Sequence, residues 1–250
     1  MSLAHLTPEW PVPRTVRAAF TLRAGGVSAA PFDTLNTAEH VGDRNEDVAE
    51  NRRRVRKGLA LPSEPAWLEQ VHGVAVLDLD QVQAGTRADA ALTRRPGRVC
   101  VVQVADCLPV FLAARDASAA AVAHCGWRGL AGGVLEATVR ALDAAPRDLC
   151  AWLGPAIGPD AFEVGEEVRA AFLAHDTRAG EAFSANPRGR WQCDLFALAR
   201  QRLLGLGITA VAGGGLCTYA DPERFFSYRR EGRCGRMAAL IWLDGQGERP

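Results

Sequence analysis

The stretch VCVVQVADCLPVFLAARDASAAAVAHCGWRGLAGG, residues 99–133, decides how the chain is read. It holds three apolar runs, VCVVQV (99–104), PVFLAA (109–114) and AAAVAH (119–124). Each is too short for a helix and is bounded by turn-forming residues, so each is expected to be a strand. A Gly-rich turn follows, then a helix from about Leu130 to Leu142. Outward from this block, LCAWLG (149–154) reads as another strand, and residues 163–175 and 194–204 read as helices. ITAVAG, FFSYRR and MAALIWL read as closing strands. Toward the N-terminus, residues 44–59 read as a polar helix with Asp43 as its cap and Gly58 as its stop. Ala24 to Asp33, Asp176 to Gly189 and the terminal Gly-Glu-Arg-Pro are the most loop-like stretches. Some strands follow one another directly and others are separated by helices. The expected class is therefore α+β, a mixed sheet structure rather than a regular βαβ repeat.

The chain has 250 residues with 48% apolar and 23% charged, and it shows neither a repeat nor an obvious linker. A single domain over residues 1–250 is expected, large enough to bury its core without staples. Lys plus Arg (29) equals Asp plus Glu (29), so no net field draws the chain to nucleic acid or to a membrane. Lys57 is the only lysine, which removes P-loop, kinase-type and Schiff-base chemistry. Gly205 to Ala210 (GLGITA) matches the dinucleotide fingerprint by letters, but it follows a helix and leads into a strand, the reverse of what pyrophosphate needs. No GxSxG elbow is present, which argues against a serine hydrolase. Gly213-Gly214-Gly215 reads as a tight turn or as a place of close backbone approach to a ligand. The first twenty residues lack an export pattern, and none of the seven cysteines is in CxxC spacing. Reduced thiols in the cytoplasm are expected. No amphipathic seam stands out, so a monomer is expected.

Three chemical candidates sit at strand ends. His72 lies in QVHG (70–73) before VAVLDL, Cys107 follows VCVVQV, and His124 ends AAAVAH. Two imidazoles and one thiolate form a donor set used by catalytic zinc, with a fourth position open to water. The spacing alone also allows two ordinary histidines and a core cysteine, or a Cys107 nucleophile with His124 as its base. Cys125 points away from its neighbour in an extended segment. Arg128, just before a helix, suits either an anion or packing against Trp127. Asp106 and Glu69 are the nearest carboxylates, able to orient an imidazole or to move a proton.

Seven segments carry a resemblance: RAGGVSAAPFDTLNTAEHVGD (23–43), WLEQVHG (67–73), ADAALT (88–93), VADCLPVFLA (104–113), AHCGWRGLAGG (123–133), LGPAIGPDAFEVGEEV (153–168) and CTYADPERFFSYRREGRCGRMAALIWL (217–243). Through them the chain resembles, over nearly its whole length, the laccase-domain (YfiH-like) family. Its members were first called multicopper polyphenol oxidoreductases and were later described as purine nucleoside phosphorylases. The resemblance implies an α/β sandwich grouped with bacterial toxin-like cysteine hydrolases, and one zinc ion on His72, Cys107 and His124. It also implies phosphorolysis of adenosine, inosine, guanosine and methylthioadenosine, with phosphate as co-substrate, and hydrolytic deamination of adenosine. Under that reading Asp106, Glu69 and Cys107 are the catalytic candidates. Arg23, Asn36, Arg128 and Arg229, all in motif segments, are the candidates for holding substrate or phosphate. Five histidines are too few for a blue-copper centre joined to a trinuclear cluster, which leaves copper as an alternative occupant of the single site. Three other readings stay open: an amidase editing a peptidoglycan precursor, a copper-dependent polyphenol oxidase (laccase), and a nucleoside sensor whose zinc is closed off by Cys125.

Overall fold

In the computed structural model of the protein, which describes residues 3–81 and 85–245, the strands Val99–Val104 and Leu108–Ala114 are buried along their whole length. Their continuous apolar character has a direct cause, because both faces of each strand are covered. The two strands belong to different sheets, and the turn at residues 105–107 carries the chain from one layer to the next. The first sheet is antiparallel, in the order His5–Leu6, Val16–Thr21, Met237–Leu243, Val99–Val104. The second has six strands, in the order Ala210–Gly213, Leu149–Leu153, Leu108–Ala114, Ala120–Cys125, Ala90–Thr93, Val76–Asp78. Its two outer pairs are parallel and its inner pairs antiparallel.

The sheets pack face to face through Phe20, Val102, Ile241, Phe111 and Val122. On the far side of the six-stranded sheet, Leu112, Ala121 and Leu153 meet Leu135, Val139 and Leu198 of the helices Val134–Leu142 and Leu195–Gly205. On the far side of the other sheet, Val101 and Leu240 meet Val55 of the helix Asn45–Gly58. The result is a helix–sheet–sheet–helix sandwich of the expected mixed α+β class. A small antiparallel sheet, Phe183–Ala185, Trp191–Cys193 and Glu163–Val164, flanks it.

Several local expectations are corrected. FFSYRR is not a strand: Phe225 and Phe226 are core residues, and Ser227 caps the short helix Tyr228–Glu231 by accepting from the Arg230 amide. The helix expected from Leu130 starts earlier and is broken, as Trp127–Gly132 and Val134–Leu142, by Gly133 in a left-handed conformation that suits glycine. Asp43 does not cap the helix that begins at Asn45. Its side chain instead accepts from Ser28 Oγ and Asn36 Nδ2, and from the Arg44 amide. The helix expected at 163 begins at Glu166, and the loop-like 176–189 stretch contains a 3₁₀ segment and the strand Phe183–Ala185. The terminal Gly-Glu-Arg-Pro lies outside the described residues. No helix among the described residues is long and apolar enough to cross a membrane.

Candidate metal centre

Sheet register assembles the site. Leu108 pairs with Cys125 and Pro109 with His124, so Cys107 and Gly126 face each other just beyond the paired residues. Ala90 pairs with Ala123, which sets Asp89 across from His124, and the His124 amide donates to the Asp89 carbonyl at 2.7 Å. The parallel pairing of Val76 with Ala90 then brings the 71–75 segment alongside. Donor atoms of His72, Cys107 and His124 lie within 4.8 Å of one another, with Cys107 Sγ 3.9 Å from His72 Nε2. The two imidazoles meet edge-on with centroids 4.8 Å apart. His124 is buried, Cys107 half-buried and His72 exposed, so the cluster is open on one side.

Each part is held in place. His124 Nδ1 is 2.9 Å from Asp89 Oδ1, which leaves Nε2 for the cluster. Asp106, immediately before Cys107, sits at φ +90°, a conformation that costs a non-glycine residue. It is pinned there: Oδ1 accepts from Thr218 Oγ1 at 2.6 Å, Oδ2 from the Arg229 amide at 2.7 Å, and its carbonyl from the Ile157 amide at 2.9 Å. Burial raises the Cys107 thiol pKa. The charge on His124 and hydrogen bonds from His124 and His72 outweigh that effect and bring it down to about 6. Burial acts downward on His124, but the Cys107 charge and the Asp89 hydrogen bond carry it up to about 9. At neutral pH the thiolate faces a protonated His124, and once a metal displaces the Nε2 proton the thiolate and two imidazoles are a fitting donor set for zinc. Gly126 fits the same purpose, since a Cβ there would lie 2.9 Å from Cys107 Sγ and 3.0 Å from His72 Cδ2. Among the described residues this is the one cluster of three or more His, Cys, Asp or Glu ligand atoms, far short of a multicopper arrangement. Cys125 stays outside it, in the core against the helices, and burial pushes its thiol pKa well up.

The other expected site residues fall into two groups. Arg229 lines a cleft of about 840 Å³, together with Gly214, Gly215, Gln192, Cys217 and Tyr219, a size suited to a small molecule. Its guanidinium is steadied by the carbonyls of Glu163 at 3.0 Å and Ala161 at 3.4 Å, and its amide reaches Asp106, the residue before Cys107; His72, Cys107 and His124 themselves do not line this cleft. Glu69 is exposed in the segment leading to His72. Arg128 is exposed within its helix and stacks 4.3 Å over Trp127. Arg23 is committed elsewhere, to Glu231 Oε1 at 2.8 Å and the Pro222 carbonyl at 2.9 Å. Asn36 is fully buried with both amide atoms in use: Nδ2 donates to Ala38 O and Asp43 Oδ2, and Oδ1 accepts from the Ala38 and Arg236 amides. Neither Arg23 nor Asn36 faces the cleft lining. Sequence reasoning missed Asp89. It stands in the ADAALT segment, but only the pairing with His124 reveals its place.

A family described as multi-copper polyphenol oxidoreductase laccase matches residues 17–244, and the chain belongs to that YfiH-like, laccase-domain family. It is 54% identical over 243 residues to a Pseudomonas aeruginosa protein named purine nucleoside phosphorylase, covering 96% of this chain and 99% of that one. It is 50% identical over 239 residues to purine nucleoside phosphorylase YfiH of Escherichia coli, covering 95% and 98%. The crystal structure of a Neisseria meningitidis protein superposes with a TM-score of 0.93 at 45% identity, over 96% of this chain and 99% of that chain. YlmD from Geobacillus stearothermophilus gives 0.85 at 30% identity, over 94% of each.

Proposed function

We propose that this chain is a zinc-dependent purine nucleoside phosphorylase, acting as one domain and as a monomer in the cytoplasm. Its substrates would be adenosine, inosine, guanosine and methylthioadenosine, with adenosine deamination as a second activity at the same site. The observation that carries the reading is the open His72–Cys107–His124 cluster, linked through Asp106 to an Arg229 that walls a cleft, in a chain whose relatives are named phosphorylases. A bound zinc ion supplies Lewis acidity at the open side of the cluster. Arg229 holds phosphate by charge-assisted hydrogen bonds, its guanidinium charge being met in the chain by carbonyl oxygens. Asp106, with both oxygens engaged, fixes the Arg229 backbone. Glu69 is the exposed carboxylate suited to moving the proton that deamination requires. The test is adenosine turnover with and without phosphate, for wild type and for Glu69→Gln. Adenine should appear only with phosphate, and the substitution should slow inosine formation alone. Phosphate-independent adenine release would overturn phosphorolysis.

A second reading is favoured by one arrangement. Cys107, His124 and Asp89 stand in the order nucleophile, base and orienting carboxylate. An amidase acting on a peptidoglycan precursor would use these atoms without metal, and hydrolysis of a muropeptide amide by zinc-free protein would support it.

A further inference from the structure

We propose that Asp89 is the positioning residue of the metal centre, one carboxylate that sets two of the three ligands at once. The inference rests on the metal reading above. The Asp89 side chain is fully buried and accepts four hydrogen bonds. Oδ1 takes the His72 amide at 2.9 Å and faces His124 Nδ1 at 2.9 Å. Oδ2 takes the Gly73 amide at 2.7 Å and the Val71 amide at 3.2 Å. Three successive backbone N–H groups thus wrap one anion, a concave nest built around an internal carboxylate. Inside that nest His72 adopts φ +58°, a left-handed conformation that L side chains adopt at a cost. The carboxylate therefore does two separable things. It holds the turn that aims His72 at Cys107, and it fixes the His124 proton on Nδ1, keeping Nε2 available as a donor. Metal-bound histidines commonly depend on such a carboxylate.

Asp89→Asn tests this with little change in shape. An amide NH₂ at the Oδ1 position meets the His72 amide and His124 Nδ1, and at the Oδ2 position it meets the Gly73 and Val71 amides. Either orientation loses two acceptances, and the first also drives the His124 proton onto Nε2. Zinc affinity, measured by competition with a chromogenic chelator, is expected to fall about 10- to 100-fold in Asp89→Asn. An affinity within twofold of wild type, in variant protein with unchanged circular dichroism, overturns the proposal. ¹⁵N-histidine NMR on wild-type protein tests it without any substitution. With zinc bound, His124 should keep its proton on Nδ1, and zinc-bound protein with the His124 proton on Nε2 overturns the proposal. Wild-type protein that binds no zinc would instead sink the metal reading, a result distinct from either of these.

Discussion

Cys107 and Cys125 are both cysteines near the end of strands in the same sheet, yet their surroundings give them opposite chemistry. The first is a thiolate-forming side chain beside two imidazoles, and the second is a neutral thiol packed among leucines and valines. Cys107→Ser should therefore lose stoichiometric zinc and all phosphorolysis, while Cys125→Ser should keep a full complement of metal. Metal analysis by mass spectrometry on the two purified variants distinguishes them. Zinc lost in Cys125→Ser would favour the closed, sensor-type site. For Arg229→Ala, the loss of one charge-assisted contact of about 1.5–3 kcal/mol should raise the KM for phosphate roughly 10- to 100-fold. The KM for nucleoside should change little. Initial rates over a phosphate series measure this, and an unchanged phosphate KM would remove Arg229 from the role. His72, Cys107 and His124 stood out in the sequence because each flanks an apolar run beside a turn, and the family resemblance joined them into one ligand set. Arg23 and Asn36 looked equally suitable by residue type. Arg23's partner Glu231, and Arg236, which completes the Asn36 network, lie some two hundred positions away in sequence, so this structural use was invisible there.

Among the elements, the turn that leaves Ala120–Cys125 and enters Trp127–Gly132 has a spacing that bears directly on Cys107 and His72. Gly126 has an ordinary extended backbone, so its requirement is space rather than conformation. In Gly126→Ala the new methyl would press on Cys107 Sγ and the His72 ring at 2.9 and 3.0 Å. Zinc affinity should drop roughly 10-fold or more, with the thermal midpoint of the metal-free protein shifting by only a few degrees. Chelator competition and calorimetry on the same sample separate the two effects. Strand positions were well read where burial on both faces selects mostly apolar residues, as in Val99–Val104 and Met237–Leu243. FFSYRR failed for a physical reason: paired aromatics favour strands, but here both phenylalanines fill the core between the sheets and a serine cap starts a helix. Asp89 escaped notice because a carboxylate's role is set by cross-strand register, which single-sequence patterns do not carry.

Across the molecule the layers cohere through three apolar clusters in which His72 and His124 take no part and Cys107 only a peripheral one. The fold should therefore outlast the loss of metal. Zinc present at about 100 times its dissociation constant adds about 2.7 kcal/mol, or about 5–10 °C in thermal midpoint for a chain of this size. Removal of zinc should lower the midpoint by that amount and leave far-ultraviolet circular dichroism unchanged. Collapse of the spectrum on chelation would instead make the metal structural.

Titration of metal-free protein with zinc asks whether the His72–Cys107–His124 cluster is the seat of catalysis. Phosphate-dependent cleavage of adenosine should rise linearly and break at one equivalent of zinc per chain. Full activity in metal-free protein, or activity that ignores added zinc, would place catalysis elsewhere.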